Sequence, residues 1–320
     1  MQLEEFLQLG SPEKYDFKNE GANKLYSSLE NNIEKFLLYK SSGCIGSKYF
    51  PEMDLFIKED KRVFGLREID CDTSLLVKEI YNKLWESAIK DQGNSTISGE
   101  YGDTMTSFQR LFNIFVEEKI ETKLQKEYRE KYFPKQKVTK VYILHLYYSC
   151  NSFIEECNKY DAVHQFAKSV HQIGNFIPVP KGFNRSRAQH DSWDLTLSKI
   201  REWYLESDEK KRDEILGSLL CSNPNAINEC KKWLNWCAVD KEKNQAWEKF
   251  IEVNYLQEFV NQDDMKPIMF CENHSWDSKL SGDDVAQVCN TCNELIELRG
   301  VRMINELKRL QKINEQRGKE

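Results

Sequence analysis

Apolar positions recur every three or four residues along most of this 320-residue chain, the spacing that lines one face of an α-helix. Leu25, Leu29, Ile33 and Phe36/Leu37 make one such stripe. Leu76, Ile80, Leu84 and Ala88 make a second, with Asp72 or Thr73 placed to cap its start. Between them, Pro51 to Leu66 predicts short extended pieces or a hairpin around Leu55-Phe56-Ile57 and Val63-Phe64. Asp91 to Gly102 is rich in Gly, Ser, Thr and Asn and is the best linker in the chain. Beyond it, Asp103 and Thr104 are placed to cap a long helix through Phe108, Leu111, Phe112, Phe115 and Leu124, ended by Pro134.

A second long helix is predicted from about Val138 to Asn158, and another over Asp161 to Val170. Periodicity then stops. Ile173 to Arg187, IGNFIPVPKGFNRSR, holds two prolines and two glycines without a repeat. Irregular segments held on rigid helices often carry function. Helical spacing resumes with Trp193, Leu197, Ile200, Trp203 and Tyr204, then over Ile215 to Leu220, Ile227 to Cys237 and Trp247 to Val260. The last helix carries Val285, Val288, Cys289, Cys292, Leu295/Ile296, Arg299 and Met303.

Composition and charge narrow the function classes. With 40% hydrophobic residues, seven tryptophans and seventeen phenylalanines, the chain has material for a large packed interior. The start, MQLEEFLQLGSPEKYDF, lacks the basic and apolar run of an export signal, and no window has the length of a membrane span. Ten cysteines in that context predict reduced thiols, so a cytoplasmic location is expected. A net charge of −6 argues against general binding of phosphate backbones. Two stretches are locally basic, with eight Lys/Arg against three Glu over 119–140 and seven against three over 299–320. Both read first as solvated helix faces.

Three constellations carry possible chemistry. Cys271 and His274, followed after fourteen residues by Cys289 and Cys292, have the spacing of a zinc knuckle. However, Cys289 and Cys292 fall on the apolar stripe of the last helix, where buried thiols are common. No metal and no cofactor are therefore expected. Arg185-x4-His190 fits the permissive signature of HEPN ribonucleases, which cut RNA without metal. The bland alternative is a salt-bridge and capping cluster of Lys181, Arg185, Arg187 and His190 with Asp191 and Asp194. The third is a scatter of His145, His164 and His171 with Cys150, Cys157, Glu155 and Glu156, which does not converge. Phosphate-loop, dinucleotide, zincin and nucleophile-elbow motifs are absent from the sequence.

A set of ordered motifs runs through the second part. They are Tyr101-Gly-Asp-Thr-Met105, His171-Gln-Ile-Gly-Asn-Phe-Ile-Pro-Val-Pro180, and Phe183-Asn184 followed by Arg187. Trp193-Asp-Leu-Thr-Leu197 with Ile200 and Trp203-Tyr204 comes next. Tyr255-Leu-Gln-Glu-Phe-Val260, His274-Ser275 and Arg299-Gly-Val-Arg302-Met303 complete the series. In this order they resemble an uncharacterised bacterial family catalogued only as a domain of unknown function, over about residues 99–305. The resemblance implies no activity. It places the typical arginine at Arg187, with Asn184 and Asp194, rather than at the Arg185/His190 pair. It also makes His274-Ser275 typical and the three cysteines not.

The sequence thus predicts an all-α, mainly helical globular protein with a minor extended or hairpin element near residues 51–66. A helical region over 1–98 precedes a domain over 99–320 carrying the family-like motifs. The expected function is that of a non-enzymatic interaction or regulatory protein of a bacterium or phage. It would bind a protein partner through the irregular loop 173–194, with Phe176, Phe183, Arg185 and Trp193 as anchors. The alternative is a nucleic-acid-processing enzyme acting on RNA through Asn184, Arg187, His190, Asp194 and His274.

Overall fold

A computed structural model of the chain describes residues 1–17, 74–91, 97–120, 155, 157–188, 192–238 and 242–317. The helix expected over 25–37, the extended element near 51–66, most of the helix from Val138 and the basic stretch after 120 lie outside these residues, as do His145 and His190.

The described part is mainly helical. It opens with α1 (Leu3–Leu7) and a 3-10 turn (Pro12–Lys14), then α2 (Leu75–Leu84) and α3 (Glu86–Asp91). Ser74 caps α2, its Oγ accepting from the Val77 N–H at 3.2 Å, so the cap sits after the expected Asp72 and Thr73. Strand β1 (Ile97–Thr104) follows, and then α4 (Phe108–Lys119), whose N-cap position is Ser107. Asp103 and Thr104 are therefore strand residues and not helix caps.

Next come α5 (Asp161–Ser169), a 3-10 turn (Ile173–Asn175), β2 (Phe176–Pro180) and α6 (Phe183–Ser186). The chain continues through α7 (Trp193–Leu205), α8 (Glu209–Leu219), α9 (Pro224–Ala238) and α10 (Lys243–Val253). A 3-10 turn (Gln257–Phe259) leads to α11 (Gly282–Arg317), a helix of 36 residues. The helix expected to run to Val260 stops at Val253 because Tyr255 enters the left-handed region at φ 54°.

The expected linker and the expected irregular loop find each other. β1 and β2 pair antiparallel, with Thr104 opposite Phe176, Asp103 opposite Ile177, Gly102 opposite Pro178, and an irregularity before Ile97 meets Pro180. Prolines are accommodated in β2 because, among the described residues, one strand pairs with it, and the other edge has no ladder bonds there to lose. The boundary expected between residues 98 and 99 lies inside β1. One cluster of buried side chains runs from Leu3 and Phe6 through Phe176 and Trp233 to Leu307.

α11 is the spine of this core. Its buried face includes Val285, Val288, Cys292, Ile296, Met303 and Leu307. Gly174 meets that spine so closely that a Cβ there would stand 1.9 Å from the Ile296 carbonyl oxygen. Arg299, fully buried, fixes the same junction by donating to four carbonyls: Gly174 at 2.7 Å, Phe176 at 2.8 Å, Tyr255 at 2.9 Å and Asn254 at 3.0 Å. Burial lowers its pKa to about 10, so it keeps its charge at neutral pH. Asn175 ties the start of the ribbon to its neighbours, donating to Thr106 O and Val170 O and accepting from Thr106 N.

Candidate functional site

The residues expected to act together divide into three groups. Asp194 stands in the first turn of α7, entirely buried. Its Oδ1 accepts the Leu195 N–H at 2.8 Å, and its Oδ2 accepts the Phe270 N–H at 2.9 Å. His274, eighty residues away in sequence, brings Nδ1 to 2.5 Å from the same Oδ2. An ionised carboxylate accepts only, so Nδ1–H is the donor in this pair. The His274 side chain is 5% exposed, and Nε2 has no hydrogen-bond partner among the described residues.

Arg187 is the second group. Its buried guanidinium lies 5.5 Å from the Trp193 ring centroid and donates from Nη1 to Thr196 Oγ1 at 3.0 Å. Thr196 in turn donates to Ser192 O at 3.2 Å. These contacts hold the end of α6 against the first turn of α7. Asn184 and Arg185, on α6, are exposed.

The third group is the set of proposed contact anchors, and here the expectation is corrected. Phe176, Phe183 and Trp193 are each wholly buried. Phe183 packs its ring against Trp193 at 6.2 Å and Trp233 at 5.6 Å, while Phe176 packs on Phe17 at 5.6 Å. Large aromatic rings in an apolar sequence context are the first side chains drawn into a core. Of the four anchors only Arg185 reaches solvent.

Cys271, Cys289 and Cys292 are buried free thiols. Burial raises the Cys271 thiol to about 11 and drives Cys289 and Cys292 higher still, so none is a thiolate at neutral pH. Among the described residues no group of three or more His, Cys, Asp or Glu is arranged to hold a metal ion. α5 ends at Ser169, so His164 and His171 do not share a helix face.

What the Asp194–His274 pair can do is limited by its surroundings. It clasps the segment after the last 3-10 turn onto α7, helped by Thr291 Oγ1 donating to Phe270 O and by Lys199 lying over the Trp276 ring. Neither residue lines the hollow beside α10 and α11.

That hollow is a groove of about 1400 Å³ between the α2–α3 junction, α10 and α11. Its floor includes Trp85 and Tyr255, whose rings meet edge to face at 5.3 Å, and Tyr255 donates its hydroxyl to Leu84 O. Leu298 and Val301 line it while 47% and 41% exposed. The sequence marked neither residue as a contact position, because both sit one step off the buried stripe of the last helix and read as ordinary surface positions. No family model, no curated protein and no solved structure matches this chain. None of the described helices is long and apolar enough to cross a membrane.

Proposed function

We propose that this chain is a non-enzymatic interaction or regulatory protein of the cytoplasm of a bacterium or phage. Its contact surface is the groove between α10 and α11 and not the 173–194 segment. The observation that carries this reading is the pair of exposed apolar side chains, Leu298 and Val301, set in a groove walled by charged residues. Apolar patches rimmed by polar residues mark binding surfaces. The buried thiols and the dense hydrogen bonding around Asp194 support a structural role for the remaining constellations. Affinity purification of the tagged chain and of a Leu298→Asp variant from the native host tests it. A stoichiometric protein partner that is lost with the variant is the expected result. A partner retained in full by the variant would sink the assignment.

The direct contact of His274 with Asp194 is the one observation favouring the second reading, a nucleic-acid-processing enzyme. A histidine held by a carboxylate is the usual arrangement of a general base. RNA cleavage by the purified chain that disappears in a folded His274→Gln variant would establish it. Absence of cleavage by the native chain would end it.

A further inference from the structure

The charge on the groove wall is not balanced. Two of its arginines are already committed: Arg302 pairs with Glu258 at 2.6 Å, and Arg309 pairs with Glu306 at 2.6 Å. Lys249 lies over the Trp236 ring at 4.7 Å. Glu248 and Glu252, exposed and one helical turn apart on α10, engage no cation among the described residues. Two further acceptors behind the same wall, Gln257 Oε1 and Glu258 Oε2, are buried and have no donor among the described residues. Through Glu248 and Glu252 the wall therefore presents negative charge beside an apolar strip.

The shape is elongated. The groove follows α11 from Leu298 to Arg309, and a second hollow of about 480 Å³ takes over between α2 and α11, lined by Leu310, Ile313 and Asn314. A helix rises about 1.5 Å per residue, so the stretch from 298 to 314 is about 24 Å long. A volume of 1400 Å³ is roughly that of a helical rod about 10 Å across and three turns long. Helices bound in grooves place apolar residues at i, i+3/i+4 and i+7 on the floor and read charges at the rim.

We propose that the groove docks a basic amphipathic helix of a partner protein. Its apolar stripe covers Leu298, Val301 and the Trp85–Tyr255 pair, and Lys or Arg residues four apart face Glu248 and Glu252. The inference rests on the groove being the contact surface, and its test separates the two claims.

The probe is a fluorescein-labelled 16-residue Leu/Lys peptide with its leucines on one helical face. Its controls are a rearranged isomer of the same composition without that face and the Leu/Glu counterpart. Anisotropy titrations against the full chain at physiological salt are expected to show the Leu/Lys helix binding at least tenfold tighter than either control. Glu248→Lys with Glu252→Lys is expected to shift the preference to the Leu/Glu peptide, and Leu298→Asp to weaken every helix at least tenfold. All three positions are exposed, so melting curves stay those of the native chain; Val301→Asp replaces any variant that unfolds. Leu/Glu binding equal to Leu/Lys binding, yet still lost with Leu298→Asp, overturns the basic partner and leaves the groove reading intact. Binding indifferent to Leu298→Asp, or no binding at all, overturns both. Sedimentation showing a dimer that Leu298→Asp abolishes assigns the groove to a second copy and overturns the partner helix.

Discussion

Asp194 is a carboxylate whose hydrogen-bonding directions are taken by two backbone N–H groups and an imidazole, all in the interior. Replacing it with Asn keeps the shape and turns an acceptor into a donor facing another donor. Leaving buried groups unmatched in this way costs about 2–4 kcal/mol. Asp194→Asn should therefore lower the unfolding free energy measured in urea by that amount, seen as a lower midpoint with the slope unchanged. The thiols make a second prediction at this scale. Cys221 is exposed, whereas Cys230, Cys237, Cys271, Cys289 and Cys292 are buried with their thiols held protonated. Brief alkylation of the native chain at pH 8, mapped by mass spectrometry, should label Cys221 and spare the other five. Rapid labelling of Cys289 or Cys292 would contradict their burial in α11.

At the scale of elements, α11 depends on how it starts and on what it touches. Ser281 and Asp284 form a reciprocal cap: the Asp284 N–H donates to Ser281 Oγ at 3.2 Å, and the Ser281 N–H donates to Asp284 Oδ2 at 2.7 Å. Ser281→Ala should cost about 1 kcal/mol. Those bonds to Ser281 also hold the Asp284 carboxyl below its ordinary value. A depressed folded-state pKa adds stability above the ordinary carboxylate pKa, about 4, which is lost as pH falls through the folded value. The acid limb of a pH–stability curve should therefore flatten in Asp284→Asn. Farther along, Gly174 and Arg299 join the ribbon to α11. Gly174→Ala would push a methyl group into the Ile296 carbonyl, where backbone and not a flexible side chain stands in the way. A loss of about 3 kcal/mol or more is expected in a thermal melt.

For the whole molecule, several of the ordered motifs of the second part touch one another. Gly174 and Phe176 accept from Arg299, Tyr255 accepts from the same guanidinium, and Asp194 accepts from His274. The unusual residues of the sequence are thus largely its joints. Polar groups at joints must be satisfied individually, which restricts their identity as tightly as catalysis would. On the proposed reading, the surface left for partners is where no joint is needed, along the open side of α11.

The sequence by itself determined the helical class and most of the helix positions in its second part, because a period of 3.6 residues is a local property. The spacing of Trp193, Leu197, Ile200 and Trp203 needed no tertiary information to place α7. It also marked Arg187, Asp194 and His274 as special without saying how they are used. Only the tertiary structure decided that Asp91–Gly102 contributes to a strand, since its partner lies some 75 residues on and the pairing is a long-range event. It likewise decided that Phe176, Phe183 and Trp193 point inward, for an apolar ring has the same sequence signature as a core residue and as a contact anchor. The groove, too, is tertiary. Its walls come from segments more than two hundred residues apart, and a concavity exists only once those segments have packed.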